Sequence, residues 1–181
     1  MFHRSERLFL RPVWEEDAPA IYRGIAEEAI VRNLARAPWP YRMEDAQSFV
    51  KLPRDPKQPD FAITLPDTGE YVGQCGYGPD EDGQLSVGYW IAREHWGKGF
   101  ATEAACALVD IGRTLGFERI VASHFLDNPA SGKVLRKAGF RATGKVEHLY
   151  SRARDARSPA ARYVIDLDEG EDSPEVLQAA A

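Results

Sequence analysis

The chain has 181 residues, of which 44% are hydrophobic, 28% charged and 10% aromatic. This is the make-up of an ordinary folded domain, and the length suits one core better than two small ones. Such aromatic content excludes a disordered chain, and no apolar run approaches the ~20 residues of a membrane-spanning helix. A formal charge of −5 and a pI near 5.4 argue against a general nucleic-acid binder.

The first seven residues lack the apolar stretch of a secretory signal, so the expected location is cytoplasmic, with no membrane partner. Cys75 and Cys106 are the only cysteines. Two make neither a disulfide framework nor a zinc cluster, and they read as small apolar thiols in a reducing compartment. No metal is expected.

In chain order, Leu8-Phe9-Leu10 reads as a first strand ending at Arg11-Pro12. Asp17 is placed to cap a helix carrying Ile21, Ile25 and Ala29. Pro38-Trp39-Pro40-Tyr41 breaks the chain, and a short helix follows from about Glu44 to Lys51. Phe61 to Leu65, Tyr71 to Tyr77 and Leu85 to Ile91 are strands joined by turn chemistry, hence an antiparallel meander. From Gly99 onward, Phe100, Ala104, Ala107, Leu108, Ile111 and Leu115 keep helical spacing until Gly116. Ile120 to Phe125 is a strand, and Asn128-Pro129 opens a helix that stops at Gly139. Phe140 onward and Tyr163-Val164-Ile165 form two closing strands. The expected domain covers residues 1–167, and residues 168–181 are an acidic tail. A meander followed by strand–helix–strand–helix–strand implies an α/β (α+β) fold with a mixed, mostly antiparallel sheet, parallel only around the crossover.

The informative stretch runs from Tyr89 to Thr102, with Trp96-Gly97-Lys98-Gly99 at its centre. A strand passes through a short loop into a long helix whose first N–H groups lack internal partners, and two glycines let that backbone approach a phosphate closely. Taken alone, Gly-x-Gly serves equally well as a tight helix entry. Thr102 stands where the dinucleotide fingerprint needs its third glycine, and the nucleotide-phosphate loop pattern is absent. One strand later comes Asn128-Pro129-Ala130-Ser131. Each of those residues alone suits a routine helix start. If the intervening strand is parallel to the one before Gly97, however, both helices begin at the same end of the sheet, and Asn128 and Ser131 face whatever the first loop holds.

Three segments together resemble the GNAT superfamily of acyl-CoA-dependent N-acetyltransferases, most closely its ribosomal-protein-alanine branch. They are Gly88-Tyr89-Trp90-Ile91, Trp96 through Ala104, and Asn128-Pro129-Ala130-Ser131 through Lys137-Ala138-Gly139-Phe140. The resemblance covers about residues 7 to 167. It implies a central parallel strand pair splayed by a bulge near Gly88, with the pantetheine arm of acetyl-CoA on Tyr89, Trp90 and Ile91. The pyrophosphate would lie on Trp96, Gly97, Lys98, Gly99, Phe100, Ala101 and Thr102, with Asn128 and Ser131 completing the donor site. It also implies direct attack of a primary amine (a protein N-terminus or a small molecule) on the thioester, with strand amides near Tyr89 to Ile91 stabilising the oxyanion.

Three positions depart from the family pattern, the first being Trp96, where the superfamily's loop often begins with Gln or Arg although tryptophan suits the ribosomal-protein branch. Leu135 stands where many members carry a tyrosine that protonates the leaving thiolate, so Ser131 is the candidate acid, with Asn128 beside it. Ser86 stands where the branch commonly has a glutamate, which leaves the base unassigned. Glu147 and His148, just past the last matching strand, are candidate relays that read better as solvent-facing residues, and His95 reads as structural or surface. Trp39 and Tyr41 are expected to wall the acceptor site together with Ser86, or to pack the core edge. The arginine run from Arg152 to Arg157 reads as a solvated loop. A homodimer is the expected assembly if the chain associates. Two other readings remain open: a non-catalytic acyl-CoA-binding module of the same fold, and an unrelated α/β nucleotide binder.

Overall fold

A computed structural model describes residues 1–167; the expected acidic tail lies outside the described residues. Eight strands form one sheet: β1 (His3–Arg4), β2 (Phe9–Pro12), β3 (Asp60–Thr64), β4 (Tyr71–Pro79), β5 (Leu85–Ile91), β6 (Arg119–Phe125), β7 (Arg141–Ser151) and β8 (Ala156–Asp166). Five helices accompany them: α1 (Ala18–Ile25), α2 (Glu28–Val31), α3 (Met43–Val50), α4 (Phe100–Thr114) and α5 (Pro129–Lys137). The strand order is β1-β2-β3-β4-β5-β6-β8-β7, and every neighbouring pair is antiparallel except β5 and β6. No described helix is long and apolar enough to cross a membrane.

The expected strands and helices form, except that the first helix ends at Ile25 and Ala29 falls in a separate short helix, α2; the structure also adds β1, too short for periodicity to reveal. The last strand starts at Ala156, well before Tyr163, so most of the arginine run lies in a tight hairpin turn. Asp17 stands at the N-cap of α1 but makes no capping bond there. Its carboxylate instead accepts two bonds from the Arg11 guanidinium, at 2.8 and 2.6 Å, and the Trp14 N–H at 2.8 Å. A buried carboxylate needs a charge partner more than a helix end needs a cap.

The sheet carries a core on each face. One cluster joins Leu8, Leu10, Phe61, Ile63 and Val87 to α4 through Phe100, Ala104, Leu108 and Ile111. The other joins Ile21, Ile25, Val31, Tyr41, Ala46 and Val50 to Trp90. Alternate side chains of β5 serve both faces, with Val87, Tyr89 and Ile91 toward α4 and Trp90 toward α1 and α3. Each fully buried Leu, Ile or Phe of these clusters contributes roughly 1.5–3 kcal/mol.

β4 carries three glycines, and close approach accounts for two of them. A methyl group on Gly73 would sit 2.2 Å from the backbone oxygen of Trp90, and one on Gly76 would sit 2.6 Å from the Cα of Asp60. The expected bulge near Gly88 is absent. β4 and β5 pair in unbroken register from Gly73↔Ile91 to Pro79↔Leu85.

Because backbone rather than a flexible side chain opposes the Gly73 methyl, Gly73→Ala should destabilise the domain by about 2 kcal/mol or more. Equilibrium urea unfolding checks this, and an unchanged midpoint would contradict the packing described.

Candidate active site

β5 and β6 register at a single residue pair, Ser86↔Val121, and the two strands then part. Their divergence, rather than a bulge, opens the sheet. Hydrogen-bonded pairs alternate along an antiparallel ladder. The Ala92 N–H bonds the Val72 carbonyl, which fixes that alternation between β4 and β5. The N–H and C=O groups of Tyr89 and Ile91 therefore turn away from β4, toward the gap. The Ile91 carbonyl accepts the Trp96 indole N–H at 2.7 Å, which folds the following loop back over the end of β5.

That loop enters α4 through two left-handed glycines, Gly97 at φ +76° and Gly99 at φ +83°. Gly99 is the N-cap, and the first helical bond runs from the Glu103 N–H to its carbonyl. The amides of Phe100, Ala101 and Thr102 are thus left at the positive end of a fifteen-residue helix. Open space stands over Gly97 and over Gly88. This entrance fits a diphosphate on its backbone alone.

A residue outside the sequence-derived set holds the entrance in place. The Arg7 guanidinium donates to the Lys98 carbonyl at 2.9 Å and to Glu103 Oε2 at 2.8 Å, and it lies 5.1 Å from the Phe100 ring centre. Glu103 Oε1 also accepts the Arg7 N–H at 2.6 Å and the Ser5 hydroxyl at 2.7 Å. Burial raises the Glu103 pKa, but these bonds outweigh it and hold the carboxyl below its ordinary value. The partners stand 91 to 98 residues apart in the chain, so no local pattern marks them.

His95 is buried beneath the same loop. The Lys98 ammonium lies 3.2 Å from its Nδ1 and has only protons to offer, so it occupies that lone pair. Nε2 lies 3.2 Å from Glu70 Oε1 and 3.7 Å from Glu94 Oε1, so the buried ring links the β3–β4 turn to the loop.

α5 begins at the end of β6. Since β5 and β6 are parallel, its entrance lies at the same end of the sheet as that of α4. Asn128 occupies the N-cap with its side chain making no capping bond. Tyr89 reaches across from β5, its hydroxyl 2.9 Å from Ser131 Oγ. This contact joins the two predicted segments, and the gap runs between them.

Sequence and structure comparisons agree with this geometry. The family model described as an acetyltransferase (GNAT) domain matches residues 7–141. The uncharacterized N-acetyltransferase p20 of Bacillus licheniformis is 31% identical over 147 residues, covering 77% of this chain and 82% of that protein. The chain belongs to the GNAT acetyltransferase family. A GNAT-family acetyltransferase from Bacillus anthracis superposes with a TM-score of 0.80 at 23% identity, over 93% of this chain and all of that one. A ribosomal-protein-S5-alanine acetyltransferase from Vibrio fischeri reaches 0.74 at 19% identity, over 95% and 100% of the two chains. A spermidine N-acetyltransferase from Vibrio cholerae, solved with CoA and spermine, also reaches 0.74, at 20% identity over 91% and 98%. At these identities the structures establish the fold.

In this GNAT domain the sheet face opposite α4 holds the other expected residues. Ser86 lies on β5 beside Gly78, and Trp39 is exposed in the loop between α2 and α3. Tyr41 is buried in the second core, where burial pushes its phenol up to about 12, so packing rather than wall-building describes it. Arg162 reaches from β8 to Asp80 at 2.6 Å, across the face of β6 and β5, and also takes Glu147 at 3.4 Å. Glu147 is therefore committed to an ion pair, and His148 is exposed.

Within the arginine run Arg152 and Arg157 are exposed, as expected of a solvated loop, but Arg154 is drawn into the structure. Arg154 makes a two-pronged bond to Asp127 at 2.9 and 2.8 Å and lies 4.3 Å from the Phe125 ring centre, which ties the β7–β8 turn to the α5 entrance. Burial raises the pKa of both Cys75 and Cys106, so neither offers a ready thiolate.

Glu103 contributes stability that is complete above the ordinary glutamate pKa of ~4.3 and is lost as pH falls through its lower folded value. Glu103→Gln should therefore lower the melting temperature at pH 7, with the difference from the parent shrinking in acid. Arg7→Ala should weaken CoA binding about tenfold or more by calorimetry, since charge-assisted bonds to the Lys98 carbonyl are lost.

Proposed function

We propose that the chain transfers the acetyl group of acetyl-CoA directly to a primary amine held on the opposite face of the sheet. The supporting observation is the open gap between β5 and β6, flanked by both helix entrances and bridged by Tyr89 and Ser131. Acetyl-CoA supplies an activated thioester, and the residues of this chain orient it. Gly97 to Thr102 take the diphosphate on backbone amides. The outward amides of Tyr89 and Ile91 receive the arm and donate to the carbonyl oxygen as negative charge develops there.

Asn128 steadies the thioester end, and the Ser131 hydroxyl donates to the departing sulfur. The amine enters past Ser86, with Trp39 at the outer wall. It loses its ammonium proton to water, because Ser86 is no base and the nearby carboxylates of Asp80 and Glu147 are engaged by Arg162. The acceptor is a protein N-terminus, as for the ribosomal-protein enzyme, or a small amine, as for the spermidine enzyme.

Calorimetric titration with acetyl-CoA should show saturable binding at submillimolar concentration, and mass-resolved acetylation of a mixed peptide and amine pool identifies the acceptor. With water as base, kcat/KM for that amine should rise with pH until the amine's own pKa is passed. Leu135, buried in place of the usual tyrosine, favours one competing reading, a binding module without turnover. Saturable binding with thiol release at background for every amine would select it.

A further inference from the structure

The acetyl-transfer reading leaves Ser131 as a weak acid with no evident reason to point its proton at sulfur, because a hydroxyl rotates freely. We infer that the Tyr89 phenol is the positioning residue for this step: it donates its proton to Ser131 Oγ, aims the serine proton into the gap, and refills the serine as sulfur takes that proton.

Three observations carry this inference, which rests on the acetyl-transfer reading. First, the contact runs from β5 to the first turn of α5, across the gap beyond the Ser86↔Val121 pair. The Tyr89 hydroxyl lies 2.9 Å from Ser131 Oγ and 3.3 Å from the Ser131 carbonyl, so two acceptors of a single residue face one phenolic proton. Second, either hydroxyl can donate across the 2.9 Å contact, and only donation from Tyr89 leaves the serine's own proton free for the gap. Third, the next side chain on the same face of α5 is Leu135, 1% exposed and without a donor. Tyr89 brings from β5 the hydroxyl that α5 lacks. Burial also pushes its phenol up to about 12, against the lowering effect of the Ser131 bond, so the proton stays in place across the neutral range.

The step balances as follows. The amine lone pair forms the new C–N bond, the C–S bond breaks, and its electron pair leaves on sulfur. Sulfur takes the Ser131 proton, Ser131 takes the Tyr89 proton, and water returns a proton to Tyr89. The nitrogen gives water two protons in all, one as the ammonium before attack and one from the N-protonated amide after it; one replaces the proton that water returned to Tyr89, and the other is released.

The test compares parent, Ser131→Ala, Tyr89→Phe and the double variant for kcat, acetyl-CoA affinity by calorimetry, melting temperature and the solvent deuterium isotope effect on kcat. The acceptor is the amine identified by mass analysis. Tyr89→Phe keeps the ring and its packing. Each single variant should lose about tenfold or more in kcat, with affinity within about twofold. The double variant should be no slower than Ser131→Ala, because the two hydroxyls act in series. The isotope effect should fall in Tyr89→Phe, which a merely structural role would not produce.

Normal turnover in Tyr89→Phe with a slow Ser131→Ala overturns the inference and leaves the acid reading standing. Losses that multiply in the double variant also overturn it, as does tighter acetyl-CoA binding in Tyr89→Phe, which would mark the ring as a plug displaced by the pantetheine. Normal turnover in Ser131→Ala removes the serine step itself. A parent protein that acetylates nothing removes the reading on which the inference rests.

Discussion

One missing set of hydrogen bonds organises this molecule. β5 and β6 meet at Ser86 and Val121 and then part, although parallel neighbours ordinarily remain paired. Backbone polar groups left without a ladder must find another partner; the Ile91 carbonyl takes the Trp96 indole, and the outward groups of Tyr89 and the Ile91 N–H form a strand edge awaiting one. The gap persists because each strand is anchored elsewhere. β5 pairs with β4 along seven residues, and β6 pairs with β8 along seven. Two firm half-sheets thus enclose one open seam.

The surrounding contacts keep the seam in shape from several directions. Arg7 and Glu103 clamp the α4 entrance to the N-terminal segment, and Lys98, His95 and Glu70 link the loop to the β3–β4 turn. Arg154 holds Asp127, directly before the α5 entrance, against the β7–β8 turn. Most of these ion pairs are partly exposed and contribute little individually to stability. Their effect is positional, since each fixes a helix entrance whose amides or hydroxyl face the gap. Arg162, reaching over the seam to Asp80, does the same on the acceptor face and uses up the carboxylates that might otherwise have served as bases.

The strands and long helices were legible because burial writes a period into sequence. β5 was foreseen with the bounds it has, and α4 nearly so, since apolar residues at helical spacing run until Gly116. The donor loop was legible through its two glycines, for which left-handed backbone gives a local reason. Arg7 and the Arg154–Asp127 pair were not, because ion pairs between distant segments leave no periodic trace. Asp17 misled for a related reason, and Tyr41 stood open between wall and packing on the same ground. Each residue type admits two uses, exposed or buried and capping or paired, and the choice lies with neighbours far along the chain.

The sequence by itself determined the mixed sheet and the residues that enter the two helices, since these depend on local spacing and on backbone freedom at single positions, and its resemblance to GNAT enzymes pointed to the family. Tertiary structure alone decided that the sheet opens by divergence rather than by a bulge at Gly88, that Arg7 braces the α4 entrance, and that Tyr89 meets Ser131. Each of these depends on where two separately folded segments come to lie in space. A one-dimensional pattern records what each segment buries, not what it faces.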